Sequence, residues 1–277
     1  MRRDIRTFRG WLALGMALGL AAPLLPTSVS SQSAACAAPV IATAPAIPAG
    51  GASGSMTQPG PSPESPQACW TWSMPAYTMS ADENEIVAVG DAVVTVAHDP
   101  ELVALDAASG AERWRYAMTD DGSGTVHGLS AAGDVVYAGG PEGLDAISIA
   151  DGTLLWRYAV DNATSQNPAW GGFLDPVAVG GSIYGTTRVD AADGTSSFTL
   201  VAVDAASGVA RWATPISTEG ADPVASDGTV VAVQFMTLRD DLRWPNLGLF
   251  DATTGAPLWA HEIRDLERWP TTRPIIT

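Results

Sequence analysis

The sequence predicts an all-β fold built from repeated four-stranded antiparallel units. Three observations predict it. First, four thirteen-residue segments align without a gap: 102–114 (LVALDAASGAERW), 144–156 (LDAISIADGTLLW), 200–212 (LVAVDAASGVARW) and 247–259 (LGLFDATTGAPLW). Second, each is preceded by two short apolar runs joined by a Gly- or Asp-containing turn. Third, helical periodicity is absent, and 28 Gly and 20 Pro mark many turns and short elements. The Trp residues that close the four segments lie 42, 56 and 47 residues apart. Four strands repeated at such a period make the blade of a β-propeller.

Within each segment the first half alternates large and small apolar side chains, as a strand packed on both faces does. The Asp-x-x-(Ser/Asp/Thr)-Gly stretch is turn chemistry, in which the acid caps nearby backbone and Gly supplies a positive φ. Asp106, Asp204 and Asp251 are in register, with Ser148 replacing the acid in the second copy. Gly110, Gly152, Gly208 and Gly255 are in register throughout, and the second strand carries Trp114, Trp156, Trp212 or Trp259 at its fourth position. A buried indole removes about 150–250 Å² from water, worth roughly 4–6 kcal/mol, so one Trp per repeat can staple neighbouring units. The preceding strand pairs are expected at 85–90 with 92–97, 126–131 with 135–139, 176–179 with 182–186, and 223–225 with 229–235. Their turns (Gly90-Asp91, Gly133-Asp134, Gly180-Gly181, Asp227-Gly228) suit tight hairpins. The expected blades are therefore 85–118, 126–160, 175–216 and 222–263, within a domain spanning 69–277.

Both ends of that domain predict an open or partial ring. Arg273-Pro-Ile-Ile-Thr277 matches the start of the first strand in copies three and four, as if a fifth blade began there. Cys69-Trp70-Thr71-Trp72 looks like a fourth strand such as Leu155-Trp156-Arg157-Tyr158, without its three partners. A closed four-bladed ring is sterically allowed, but the fifth first-strand argues against it. An open arc exposes blade edges and apolar faces, which favours self-association.

The segment 1–36 reads as an export signal. Arg2, Arg3, Arg6 and Arg9 precede an apolar run from Trp11 to Leu25, followed by Ser33-Ala34-Ala35 before Cys36. That run is short for a membrane-spanning helix, although a retained anchor stays open as a reading. Lipidation of Cys36, a Cys36–Cys69 disulfide, and loss of Cys36 with the signal are competing readings, because these are the only two cysteines. Residues 37–68 are Ala/Pro/Gly/Ser-rich and read as a disordered tether. The chain is thus expected to be exported: periplasmic or cell-surface, secreted or membrane-anchored. Its 14 basic residues, all Arg, stand against 30 acids, a formal net charge of −16. Such a balance excludes a nucleic-acid partner, which needs a clustered basic face.

Ala104, Asp106, Ser109, Gly110 and Trp114 in the first copy, and Ala202, Asp204, Ser207, Gly208 and Trp212 in the third, form an Ala-x-Asp-x-x-(Ser/Thr)-Gly-x-x-x-Trp repeat. This repeat resembles that of the pyrroloquinoline-quinone (PQQ)-type propellers. The resemblance covers roughly 85–277 and implies the propeller fold, usually with seven or eight blades. It also implies a choice of function, since the family includes calcium- and PQQ-dependent dehydrogenases and non-catalytic outer-membrane-assembly (BamB-like) propellers. The vicinal cysteines that often flank the quinone in those enzymes have no counterpart here.

No catalytic, cofactor-binding or metal-ligating set emerges from the residues themselves. His98, His127 and His261 share no ligand spacing, and Asp120-Asp121-Gly-Ser-Gly lacks the calcium-loop pattern. Strand order puts the loops after the second and fourth strands on one face of the array, where the long insertions 161–174, 188–197 and 237–245 also fall. Variation confined to one face marks a candidate binding face, here Trp170, Arg188, Arg239, Arg243 and Trp244. The expectation is an exported, non-catalytic binding or scaffold domain that meets a protein partner or polar ligand there and needs no cofactor. The alternative is a fragment of a PQQ- and calcium-dependent quinoprotein dehydrogenase.

Overall fold

The structure, a computed structural model, describes residues 30–31, 70–73, 86–98, 100–119, 124–161 and 171–263. The expected signal cleavage site, the tether, Cys36, Cys69, Trp170 and the segment 273–277 lie outside these. Strands β1 (Ser30–Ser31) and β2 (Trp70–Thr71) form a small antiparallel pair. The remaining sixteen strands form four antiparallel four-stranded sheets whose strands follow chain order. Blade 1 comprises β3 (Ile86–Val89), β4 (Ala92–His98), β5 (Glu101–Asp106) and β6 (Glu112–Ala117). Blade 2 comprises β7 (Leu129–Ala132), β8 (Val135–Gly140), β9 (Gly143–Ser148) and β10 (Leu154–Ala159). Blade 3 comprises β11 (Gly172–Val179), β12 (Ser182–Asp190), β13 (Ser196–Asp204) and β14 (Ala210–Ser217). Blade 4 comprises β15 (Ala221–Ser226), β16 (Val230–Arg239), β17 (Leu242–Asp251) and β18 (Pro257–Glu262). The fold is all-β, and the four blades form an arc that is not closed.

The first strands of blades 3 and 4 start earlier than expected. Asp175-Pro176 and Asp222-Pro223 look like strand starts, because Pro lacks an amide hydrogen to donate. The strands instead run through them with a β-bulge, between Leu174 and Val177 and between Ala221 and Val224. Asp175 takes up the irregularity at φ +50°.

The apolar cores lie between blades. Leu102, Ala104 and Trp114 of blade 1 pack with Leu129, Val136 and Ile147 of blade 2. Tyr137, Leu144 and Ala146 of blade 2 pack with Phe173, Ile183 and Val203 of blade 3. Tyr184, Leu200 and Ala202 of blade 3 pack with Val231, Val233 and Phe250 of blade 4. In front of blade 1, Trp70 and Trp72 cover Val103 and Leu105.

The repeat motif proves to be one local device used four times. The amide of Gly110, Gly152, Gly208 or Gly255 donates to the carbonyl four residues back, at 2.7, 2.9, 2.9 and 2.8 Å. All four glycines hold φ between +70° and +74°, which favours Gly. Asp106 Oδ1 accepts from the Ser109 amide (2.9 Å) and hydroxyl (2.7 Å), and Asp204 and Asp251 repeat this with Ser207 and Thr254. In blade 2 the pair is reversed. Ser148 stands where the acid was, Asp151 stands where the hydroxyl was, and the Ser148 hydroxyl bonds the Asp151 carboxylate.

These turns make stability acid-sensitive. The Arg113 guanidinium, then the Ser109 hydroxyl, hold the Asp106 carboxyl well below the ordinary range. Arg211 and Ser207 do the same for Asp204. A depressed native pKa favours folding above the unfolded value of about 4, and that contribution is lost as pH falls through the native value. The urea midpoint should therefore fall as pH drops below about 4. Asp106→Asn and Asp204→Asn together should flatten that fall; an unchanged profile would show the turns to be energetically silent.

Candidate functional site

In blades 1, 2 and 3 the tryptophan docks on the following blade's turn. Trp114 Nε1 donates to the Ile149 carbonyl (2.8 Å), Trp156 Nε1 to Ala205 (3.2 Å) and Trp212 Nε1 to Ala252 (3.0 Å). The indole lies flat on the turn glycine. A Cβ built on Gly152, Gly208 or Gly255 would sit 2.8, 2.6 or 2.5 Å from the ring of Trp114, Trp156 or Trp212. In blades 2 and 3 a tyrosine supports the indole. Tyr137 and Tyr184 lie 5.8 and 6.0 Å from Trp156 and Trp212, and their hydroxyls donate to the same two carbonyls. The repeat residues Asp106, Asp204, Asp251 and the four glycines thus serve architecture.

The candidate binding face needs a correction. Of the segments 188–197 and 237–245, expected as loops, only 191–195 and 240–241 are turns; the rest extends the strands β12, β13, β16 and β17. Counted from the same repeat position, the second strand has 6 residues in blade 2, 9 in blade 3 and 10 in blade 4. At about 3.3 Å per residue, the hairpins of blades 3 and 4 overhang blade 2 by roughly 10–13 Å. Asp240-Asp241 closes the blade 4 hairpin with φ +54° and +58°, the two-residue turn that matches strand twist. Acid-rich composition resembled a loop because Asp tolerates this left-handed backbone and is otherwise rare in strands.

On the overhang the arginines are already partnered. Arg188 Nε donates to Asp190 Oδ1 at 2.9 Å, and its guanidinium lies 5.7 Å from the Phe198 ring centre. Asp190, 9% exposed, also accepts from the Ser196 hydroxyl at 2.7 Å. Arg239 pairs with Glu262 (3.0 Å) and stacks on Trp244 at 4.8 Å. Arg243 pairs with Glu219 at 3.0 Å. Trp244 Nε1 is buried without a hydrogen-bond partner. The structure therefore brings Arg239 and Trp244 together at one hairpin tip, flanked by exposed Leu238 (55%) and Leu242 (59%). Arg188 stands on the neighbouring hairpin.

Sequence reading missed a buried ionic cluster between blades 1 and 2. Asp145 is 1% exposed and accepts from Arg157 Nε (2.5 Å), Arg157 Nη2 (2.7 Å) and the Tyr116 hydroxyl (2.8 Å). Arg157 also donates to the Met118 carbonyl (2.8 Å) and pairs with Glu142. Burial, then the Asp145 charge, pushes the Tyr116 phenol well above its ordinary range. The available signal was an acid in a strand position held by Val103, Val201 and Gly248 in the other copies. The cluster's groups bond one another, which makes it a blade-to-blade joint. Among the described residues, no group of three or more His, Cys, Asp or Glu is placed to hold a metal ion. The carboxylates of these turns and of the Asp145 cluster are engaged in hydrogen bonds and ion pairs.

Fold and repeat chemistry together define a propeller of PQQ-like repeats. The family model described as outer membrane protein assembly factor BamB matches residues 62–271, and the chain belongs to that family. No curated protein matches it. Among solved structures, quinohemoprotein alcohol dehydrogenase from Comamonas testosteroni is 15% identical with a TM-score of 0.52, over 65% of this chain and 34% of that one. The ADHIIG quinohemoprotein alcohol dehydrogenase from Pseudomonas putida HK5 is 17% identical with a TM-score of 0.50, over 64% and 33%. BamB from Moraxella catarrhalis is 17% identical over 61% and 66%, with a TM-score of 0.31. The chain spans about a third of the length of the two dehydrogenases, and at these identities they establish the fold alone.

Proposed function

We propose that this chain is an exported, non-catalytic binding domain that contacts a protein partner through the overhanging hairpins of blades 3 and 4. The observation that carries this reading is the blade 4 tip. There Leu242, exposed beside a two-residue turn, lies on the same face of the hairpin as the stacked Arg239–Trp244 pair. Trp and Arg are the residues that dominate protein-contact hot spots, and the Arg239–Glu262 ion pair holds the arginine in place before binding. The family's description, an outer membrane protein assembly factor, supports a partner in that process and an extracytoplasmic location.

Two measurements test it. A photo-crosslinking residue at position 242 should yield a discrete protein adduct in cells, and one at Asp193 on the blade 3 turn a weaker one. Arg239→Ser in the same chain, on the same face as position 242, should cut that adduct at least fivefold; an undiminished adduct would show that the tip is not the contact. Calorimetric titration with PQQ and CaCl₂ should give no stoichiometric heat. Tight one-to-one binding would overturn the reading in favour of a quinoprotein dehydrogenase piece.

A further inference from the structure

The outward face of blade 4 is built like an interface. In the first three blades the leucine opening the repeat segment (Leu102, Leu144, Leu200) is 0% exposed, covered by the following blade. Its counterpart Leu247 is only partly buried, as is Leu249, where the other copies carry fully buried Ala104, Ala146 and Ala202. Trp259 sits opposite Leu249 in the register in which Trp212 sits opposite Ala202. Yet Trp259 is 48% exposed, whereas Trp114 is 8% exposed. Blade 4 thus offers a docking tryptophan whose glycine socket is not supplied by the described residues.

Blade 1 has such a socket, occupied by Trp70. Trp70 lies on Gly110 (a Cβ there would be 2.6 Å from the ring), and its Nε1 donates to the Ala107 carbonyl at 3.0 Å. This repeats the contact of the three internal blade junctions. Among the described residues, however, Trp70 comes from β2, a two-residue strand paired with β1, whereas Trp259 comes from a six-residue strand of a complete blade. The neighbouring Trp72 Nε1 is buried without a hydrogen-bond partner, an energetic cost of the present cover.

We infer that the outward face of blade 4 docks a second copy of this chain head to tail, with Trp259 entering the Gly110 socket in place of Trp70. The junction reuses the Trp-on-glycine contact, the indole-to-carbonyl hydrogen bond and the leucine packing seen three times within the chain. It is a heterologous contact, so copies add in one direction. The net charge of −16 opposes it, so added salt strengthens it. This inference is independent of the hairpin tip, which belongs to the other end of the hairpin.

Sedimentation velocity over a concentration series tests it. Trp70→Ala, which empties the socket, should lower the dissociation constant of self-association at least tenfold. Trp259→Arg should abolish association while leaving the thermal unfolding midpoint in place, because the side chain is half exposed. A Trp70→Ala/Trp259→Arg copy, which offers an open socket and no docking tryptophan, should be monomeric alone and should cap and shorten wild-type assemblies when mixed with them. Trp259→Arg mixed with itself should stay monomeric. Association that survives Trp259→Arg, or a Trp70→Ala protein that stays monomeric at every concentration, would overturn the inference.

Discussion

Trp114→Ala should destabilise the protein by about 3–5 kcal/mol, the cost of deleting a buried aromatic side chain. The chemically identical Trp259→Ala should cost less than about 1 kcal/mol, as half-exposed positions do when the protein is dilute. Urea denaturation of both variants measures the contrast. The difference follows from what each indole touches: Trp114 is 8% exposed and hydrogen-bonded to Ile149, and Trp259 is 48% exposed. The partner glycine should show the same junction from the other side. Gly152→Ala places a methyl 2.8 Å from the Trp114 ring at φ +74°. It combines about 1–2 kcal/mol of left-handed backbone cost with about 1–3 kcal/mol of overpacking. In a Trp114→Ala background the overpacking disappears and only the backbone cost remains, so the double-mutant cycle should show a favourable coupling of about 1–3 kcal/mol. Additive losses would mean that indole and turn do not form one unit.

The repeat was legible because its chemistry is local. Turn acid, hydroxyl, glycine and tryptophan fall within nine residues of one another, and spacing alone aligned them in four copies. What spacing treats as equivalent, packing separates. The four tryptophans occupy one alignment column, but whether each is buried depends on a following blade, a contact between residues such as Trp212 and Ala252, 40 apart. Ser148 stood out as a departure, while its compensation by Asp151 required seeing which side chains bond. The blade 4 hairpin was misread because Asp240-Asp241 ends a strand pair by left-handed backbone at both residues, and composition alone resembles a loop there. Of the candidate face, Arg239 and Trp244 share one tip because they fall on the same side of the hairpin, with Trp244 opposite Thr237 and Arg239 opposite Leu242. Arg188 belongs to another blade, which linear proximity on a face cannot distinguish.

Asp145→Ala should cost about 3–5 kcal/mol, because removing one partner of a buried ion pair strands the other. Arg157, its side chain 27% exposed, would keep Glu142 and the Met118 carbonyl but lose its two bonds to Asp145. Tyr116 would lose its acceptor across the blade 1–2 junction. Arg157→Ala should be at least as damaging, since it leaves a carboxylate that is 1% exposed with only the Tyr116 hydroxyl among these partners. The informative variant removes both charges. Blade 3 carries Val201 and Ala213 at the aligned positions, and Val201 is 1% exposed, so the same fold already holds an apolar solution there. Asp145→Val with Arg157→Ala should therefore recover most of either single loss, because replacing a buried pair by packing is commonly near neutral. Urea midpoints of the three variants decide the matter. If the double variant is no more stable than the worse single variant, the cluster does more than hold the blades. Apolar packing would then be unable to replace the Tyr116–Asp145–Arg157 chain at the junction of blades 1 and 2.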